Sequence, residues 1–97
     1  MQYEIEDPKC TFSVPDEPTV RQQLNYIGAV SAGGSDWVVR RWLASKPLIT
    51  DWKCEIAPDL DAIDIDKETR REVAILLGQV SVQVLNHMSN VETVEKK

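Results

Sequence analysis

The chain has 97 residues, 42% of them hydrophobic, and a formal net charge of −5. That length suits one domain with a modest core, and the apolar content argues against wholesale disorder. The acidic balance argues against a duplex nucleic-acid surface.

The first eight residues are acidic, without the basic and apolar regions of a secretory leader. The longest apolar-rich run, 73–85, is interrupted by Gly78, Gln79, Ser81 and Gln83 and is too short to span a bilayer. A cytosolic protein is therefore expected, with Cys10 and Cys54 as two buried thiols; a disulfide between them is the less favoured alternative. Charge falls into zones. Residues 1–18 hold five acids and one base, 19–53 five bases and two acids, and 54–97 nine acids and five bases.

Along the chain, Cys10, Phe12 and Val14 alternate with Lys9, Thr11 and Ser13, which predicts a half-buried extended segment that Pro15 and Pro18 terminate. A first helix is expected over 18–31, with Pro18 in its first turn and Asp16 or Glu17 serving the free amides. Val20, Leu24, Ile27 and Val30 form its apolar stripe, with Tyr26 near the edge. Gly28 marks either a close helix contact or a frayed turn. Residues 32–35 end the segment.

A second helix is expected over 36–46, capped by Ser35 or Asp36 and closed by Pro47. Its buried side would be Val38, Val39, Trp42 and Leu43, with Arg40 and Arg41 outward. Residues 48–56 fit two periods. Trp52, Cys54 and Ile56 alternate as in a strand, and Ile49, Trp52 and Ile56 repeat as in a helix. The helix is favoured because few other strands are in view to pair with. The longest helix is expected over 67–89, where Val73, Leu76, Leu77, Val80, Val84 and Met88 make one broad stripe. Ile75, Val82 and Leu85 widen it until more than one side needs cover. The expected fold is all-α, with three to four helices. It comprises an extended N-terminal arm over 1–17, a helical domain over 18–90 and a flexible tail over 91–97.

No motif carries a chemical signature. The aspartates at 59, 61, 64 and 66 lack the central glycine and closing glutamate of a helix-loop-helix calcium site. They read as caps and an acidic loop. His87, the sole histidine, has no patterned nucleophile and reads as a helix-terminal residue. Gly33, Gly34 and Ser35 lack the phosphate-loop lysine. No catalytic residue, metal site or cofactor is expected, and the chain is not read as an enzyme. Trp42 and Trp52 read as core. Trp37 lies beside the stripe and is the best candidate for an exposed anchor.

The order of the parts carries a resemblance. Pro18-Thr19-Val20-Arg21-Gln22-Gln23-Leu24-Asn25-Tyr26 is followed by Arg41-Trp42, Leu48-Ile49-Thr50-Asp51-Trp52, Pro58-Asp59-Leu60 and Val84-Leu85-Asn86-His87-Met88. This series, over nearly the whole chain, resembles the small tail assembly chaperones of long-tailed bacteriophages and prophages. The resemblance implies a protein that binds the tape-measure protein, keeps it soluble while the tail is built and recruits tail-tube subunits. It implies action in the cytoplasm of the bacterial host and absence from the mature virion. Groove binding of an amphipathic client helix is the expected mechanism. Val20, Tyr26, Ile27, Trp37 and Leu85 are the expected contacts, and Arg40 and Arg41 would steer. Two other readings use the same surfaces. A small homo-oligomeric structural component, for tail completion or head–tail connection, would use the stripes for self-assembly. A nucleic-acid-associated regulator would use Arg40 and Arg41.

Overall fold

Residues Gln2–Glu6 form strand β1, in which Ile5 is buried while Glu4 and Glu6 stay exposed. Asp7 and Pro8, joined by a cis peptide bond, turn the chain into β2, Lys9–Ser13. The two strands pair antiparallel from Gln2 opposite Ser13 to Glu6 opposite Lys9. A computed structural model describes the backbone of residues 1–31 and 37–95, and side chains as far as Ser89. The expected terminator at 32–35 and the expected caps Ser35 and Asp36 lie outside the described residues.

Helix α1 covers Val20–Val30. Its cap is Thr19, and not the acids before it. The Thr19 hydroxyl accepts from the Gln22 amide at 3.1 Å, and the Gln22 side chain accepts from the Thr19 amide at 2.8 Å. This capping box satisfies two amides that the helix ladder cannot reach. An added methyl on Gly28 would meet nothing within 4 Å, so this glycine serves no close helix contact. Helix α2 covers Trp37–Ser45, and a single 3-10 turn at Lys46–Leu48 carries Pro47.

Residues Thr50–Cys54 then form a third strand, β3, and not the helix favoured from the sequence. It pairs antiparallel with β2, giving a sheet of order β1-β2-β3. The fold is therefore mixed α/β, and the all-α expectation is overturned. The physical reason lies in the partner strands. Residues 1–17 supply a complete hairpin whose outer edge is open, and β3 completes its hydrogen bonding. The register also shows why the period misled. Ser13 faces Thr50 and Thr11 faces Lys53, so β3 holds one extra residue. Asp51 takes the left-handed conformation there, at φ 52°, one that aspartate tolerates better than most residues.

Helix α3, Arg71–Glu95, lies against the sheet and continues beyond residue 90. It starts four residues later than the expected 67, because the aspartate-rich segment forms separate local turns. Asp59 caps a 3-10 turn at Leu60–Ala62, and the Asp64 carboxylate accepts from the Asp66 amide at 3.0 Å. Val73, Leu76, Leu77, Val80, Val84 and Met88 are all buried. They meet Phe12 and Val14 of the hairpin side and the aromatic cluster of Trp42 and Trp52 in one core. The two indole rings lie 6.5 Å apart, and Phe12 is 6.3 Å from Trp52, distances typical of favourable aromatic pairs. The Trp52 indole N–H donates to the Ala57 carbonyl at 2.7 Å. Among the described residues, no helix is long and apolar enough to cross a membrane.

Candidate functional site

Of the expected apolar stripe of α1, only Val30 packs against the core. Val20, Leu24 and Ile27 are 69%, 63% and 50% exposed, while Tyr26 is the buried residue of this helix. Gln22, Gln23, Ala29 and Val30 are half-buried on the packed side. Gln23 also donates from its side-chain amide to the Pro18 carbonyl at 3.0 Å. The helix thus docks on α2 through a mixed face and presents the rest of its apolar stripe outward.

The same inversion occurs on α2. Its buried residues are Trp42, Ala44 and Ser45, whereas Val38, Val39 and Leu43, expected in the core, are exposed. The Ser45 hydroxyl turns back to the Arg41 carbonyl at 2.7 Å, so the small residues face inward without an orphaned polar group. Trp37 is exposed, and the Arg41 guanidinium stacks over its ring at 4.1 Å. This cation–π contact restrains the exposed indole. Arg40 is half-buried, and its Nε has no hydrogen-bond partner among the described residues.

On α3 the outward apolar residues are Ile75 and Val82. Two depressions meet along this helix. A cleft of about 170 Å³ lies between α2 and α3, with Val39 and Trp42 on one wall and Val73 and Leu77 on the other. A wider groove of about 720 Å³ runs between β1 and α3, lined by Val38, Ile75 and Val82 and by the acids Glu4, Glu6 and Asp7. Val38, Ala74 and Gly78 belong to both. At the cleft, Arg70 binds Glu68 through Nε at 2.9 Å and donates to the Ile56 carbonyl at 2.8 Å. The Arg70 hydrogen bond holds the Glu68 carboxyl below its ordinary range.

Of the seven residues expected to bind a partner, Val20, Ile27 and Trp37 lie exposed, and Arg41 lies beside Trp37. Arg40 and Leu85 are half-buried. Tyr26 is inside the core, and its burial raises the phenol above its ordinary value. Sequence reasoning missed Leu24, Val38, Val39, Leu43, Ile75 and Val82 as surface residues. It had placed each on a stripe, and stripe position alone does not say which stripes the core covers.

His87 holds a different position from the one its place near the helix end suggested. It is buried, with Nδ1 2.7 Å from the Tyr3 hydroxyl and Nε2 2.7 Å from the Pro15 carbonyl. A carbonyl can only accept, so Nε2 carries hydrogen; in a neutral ring Nδ1 then accepts from Tyr3. The imidazole ties α3 to the edge strand and to the segment after the hairpin, which is a structural role. Asp16, next to Pro15, binds the Met1 amine at 2.6 Å. Hydrogen bonding and charge from that amine hold its carboxyl below the ordinary range. Compared with known proteins, the chain matches no protein family, no curated protein and no solved structure.

Proposed function

We propose that this chain is a tail assembly chaperone that holds amphipathic helical segments of the tape-measure protein during assembly of a long-tailed phage. The observation that carries the reading is the uncovered stripe of Val20, Leu24 and Ile27 on α1. Leaving such side chains in water forgoes roughly 25 cal/mol for each Å² that could be buried. In a small domain with little core, that loss is tolerated where another surface covers the stripe part of the time. The spacing of four and three matches the anchors of a helix lying against a helix. Trp37, braced by Arg41, adds an aromatic anchor of the kind that dominates interface energies. The acidic surface, with a net charge of −5, keeps a complex of many copies in solution. The sequence resemblance supplies the identity of the client, the tail-tube subunits as further partners and the cytoplasm of the host as the place of action.

The test is co-expression with a long-tailed phage tape-measure protein, followed by light scattering of the purified material. A soluble complex with several copies per client is expected, with the client insoluble alone. Leu24→Asp with Ile27→Asp should abolish the complex while the free variant keeps its circular dichroism. An insoluble client beside a well-folded, unbound chain would overturn the reading. Self-assembly of the chain without any client would favour a homo-oligomeric structural component instead.

A further inference from the structure

Cys10 and Cys54 are direct register partners across β2 and β3. The Glu55 amide donates to the Lys9 carbonyl at 3.4 Å. The ladder bonds therefore lie outside the cysteine pair, which makes it a non-hydrogen-bonded pair of the antiparallel ladder. At such pairs opposed α-carbons approach to about 4.5 Å, within the roughly 4.4–6.8 Å that a disulfide spans. Both side chains leave the sheet on the same face. Both are buried free thiols, Cys10 at 1% and Cys54 at 8% exposure. Burial, and then the charge and hydrogen bond of Cys54, push the Cys10 thiol up to about 12. The closed sheet thus keeps Cys10 protonated and unreactive at neutral pH.

The position of β3 supplies the access. It is an edge strand of five residues, interrupted by the bulge at Asp51. Short edge strands open locally at lower cost than central ones.

We propose that Cys10 and Cys54 are a modification site that a low-molecular-weight disulfide converts into a cross-strand disulfide. On opening of β3, Cys54 loses its proton to solvent and its thiolate attacks one sulfur of the reagent. The reagent's sulfur–sulfur bond breaks, its other half leaves as thiolate, and a mixed disulfide remains on Cys54. Cys10 then loses its proton and displaces the second half, forming the Cys10–Cys54 bond. The two protein thiols are oxidised by two electrons, and the reagent is reduced to two thiols that take up the two protons. The closed ring runs from Cys10 to Cys54 and contains both α1 and α2. Oxidation therefore ties the two helices that carry most of the exposed apolar side chains to the sheet, and it shrinks the unfolded ensemble. This inference rests on the sheet register and does not depend on the proposed client.

The experiment uses the full chain with excess oxidised glutathione, quenched with N-ethylmaleimide and analysed by intact mass and peptide mapping. The expected product is a monomer lighter by two hydrogen atoms, with one cross-linked peptide joining Cys10 to Cys54. Its thermal midpoint should rise by several degrees and return on reduction with dithiothreitol. Stable glutathione adducts, disulfide-linked dimers or two fully alkylated thiols would each overturn the proposal. Cys54→Ser should show no midpoint shift under the same treatment, and a shift in that variant would also overturn it. The wild-type mass and peptide map decide the question even if the variant does not fold.

Discussion

At Tyr3, Pro15 and His87 the buried imidazole of α3 joins two half-buried groups of the N-terminal segment at the edge of the core. The imidazole satisfies a hydroxyl and a carbonyl at 2.7 Å each. Removing it takes one hydrogen bond from each of two half-buried groups and leaves a cavity where the buried ring stood. His87→Ala should lower stability by about 2–4 kcal/mol, combining the two lost hydrogen bonds with lost packing. Tyr3→Phe removes a hydroxyl and should cost only about 1 kcal/mol. Urea denaturation of the two variants checks the difference, and equal losses would show that packing alone matters. Nothing in the sequence announces this contact. A single histidine near a helix end has no local pattern, and its partners lie 84 and 72 positions away.

Among the elements, the period of the side chains was legible and the direction of each face was not. The α3 stripe is buried as its spacing predicts, because both of its edges meet the sheet and α2. The α1 stripe is equally regular, yet Tyr26 beside it is the residue that packs. β3 was misjudged for a definable reason. The bulge at Asp51 puts the inward residues Ile49, Trp52 and Cys54 at spacings of three and two, and the first of these imitates a helix. β1 falls within the expected extended arm but is not foreseen as a paired strand, although Tyr3 and Ile5 alternate with Glu4 and Glu6. Two glycines belong to this scale as well. An added methyl at Gly28 or Gly78 meets nothing within 4 Å, so each helix should gain about 1 kcal/mol from Gly→Ala. Gly28→Ala should do so without further effect. Gly78→Ala also fills space where the cleft and the groove meet, so it should raise the thermal midpoint while weakening any ligand seated there. Comparing midpoints with client retention separates the two.

For the molecule as a whole, the buried Cys10 thiol, the buried Tyr26 phenol and the half-buried Tyr3 phenol govern the alkaline side. Burial raises Cys10 from 9.0 to about 12, and it raises Tyr3 and Tyr26 above 10.0. A group raised on folding contributes stability that is fully present below its unfolded value. That stability is lost as pH climbs through the folded value. Stability should therefore fall between about pH 9 and pH 12, with the thiol acting first. In Cys10→Ala that part of the fall is absent, so the variant's deficit relative to the parent should narrow as pH rises. Urea midpoints at pH 8, 10 and 11 read this directly. A constant deficit would assign the cost of the substitution to packing.

The pairing of Tyr3 with His87 also bears on the order of synthesis. The ribosome delivers the hairpin before the helix that covers Phe12 and Val14. The hairpin keeps an open outer edge until β3 emerges, and a bare apolar face until α3 does. A nascent chain in that state has the two features that favour aggregation, so the fold is secure only after translation has passed His87.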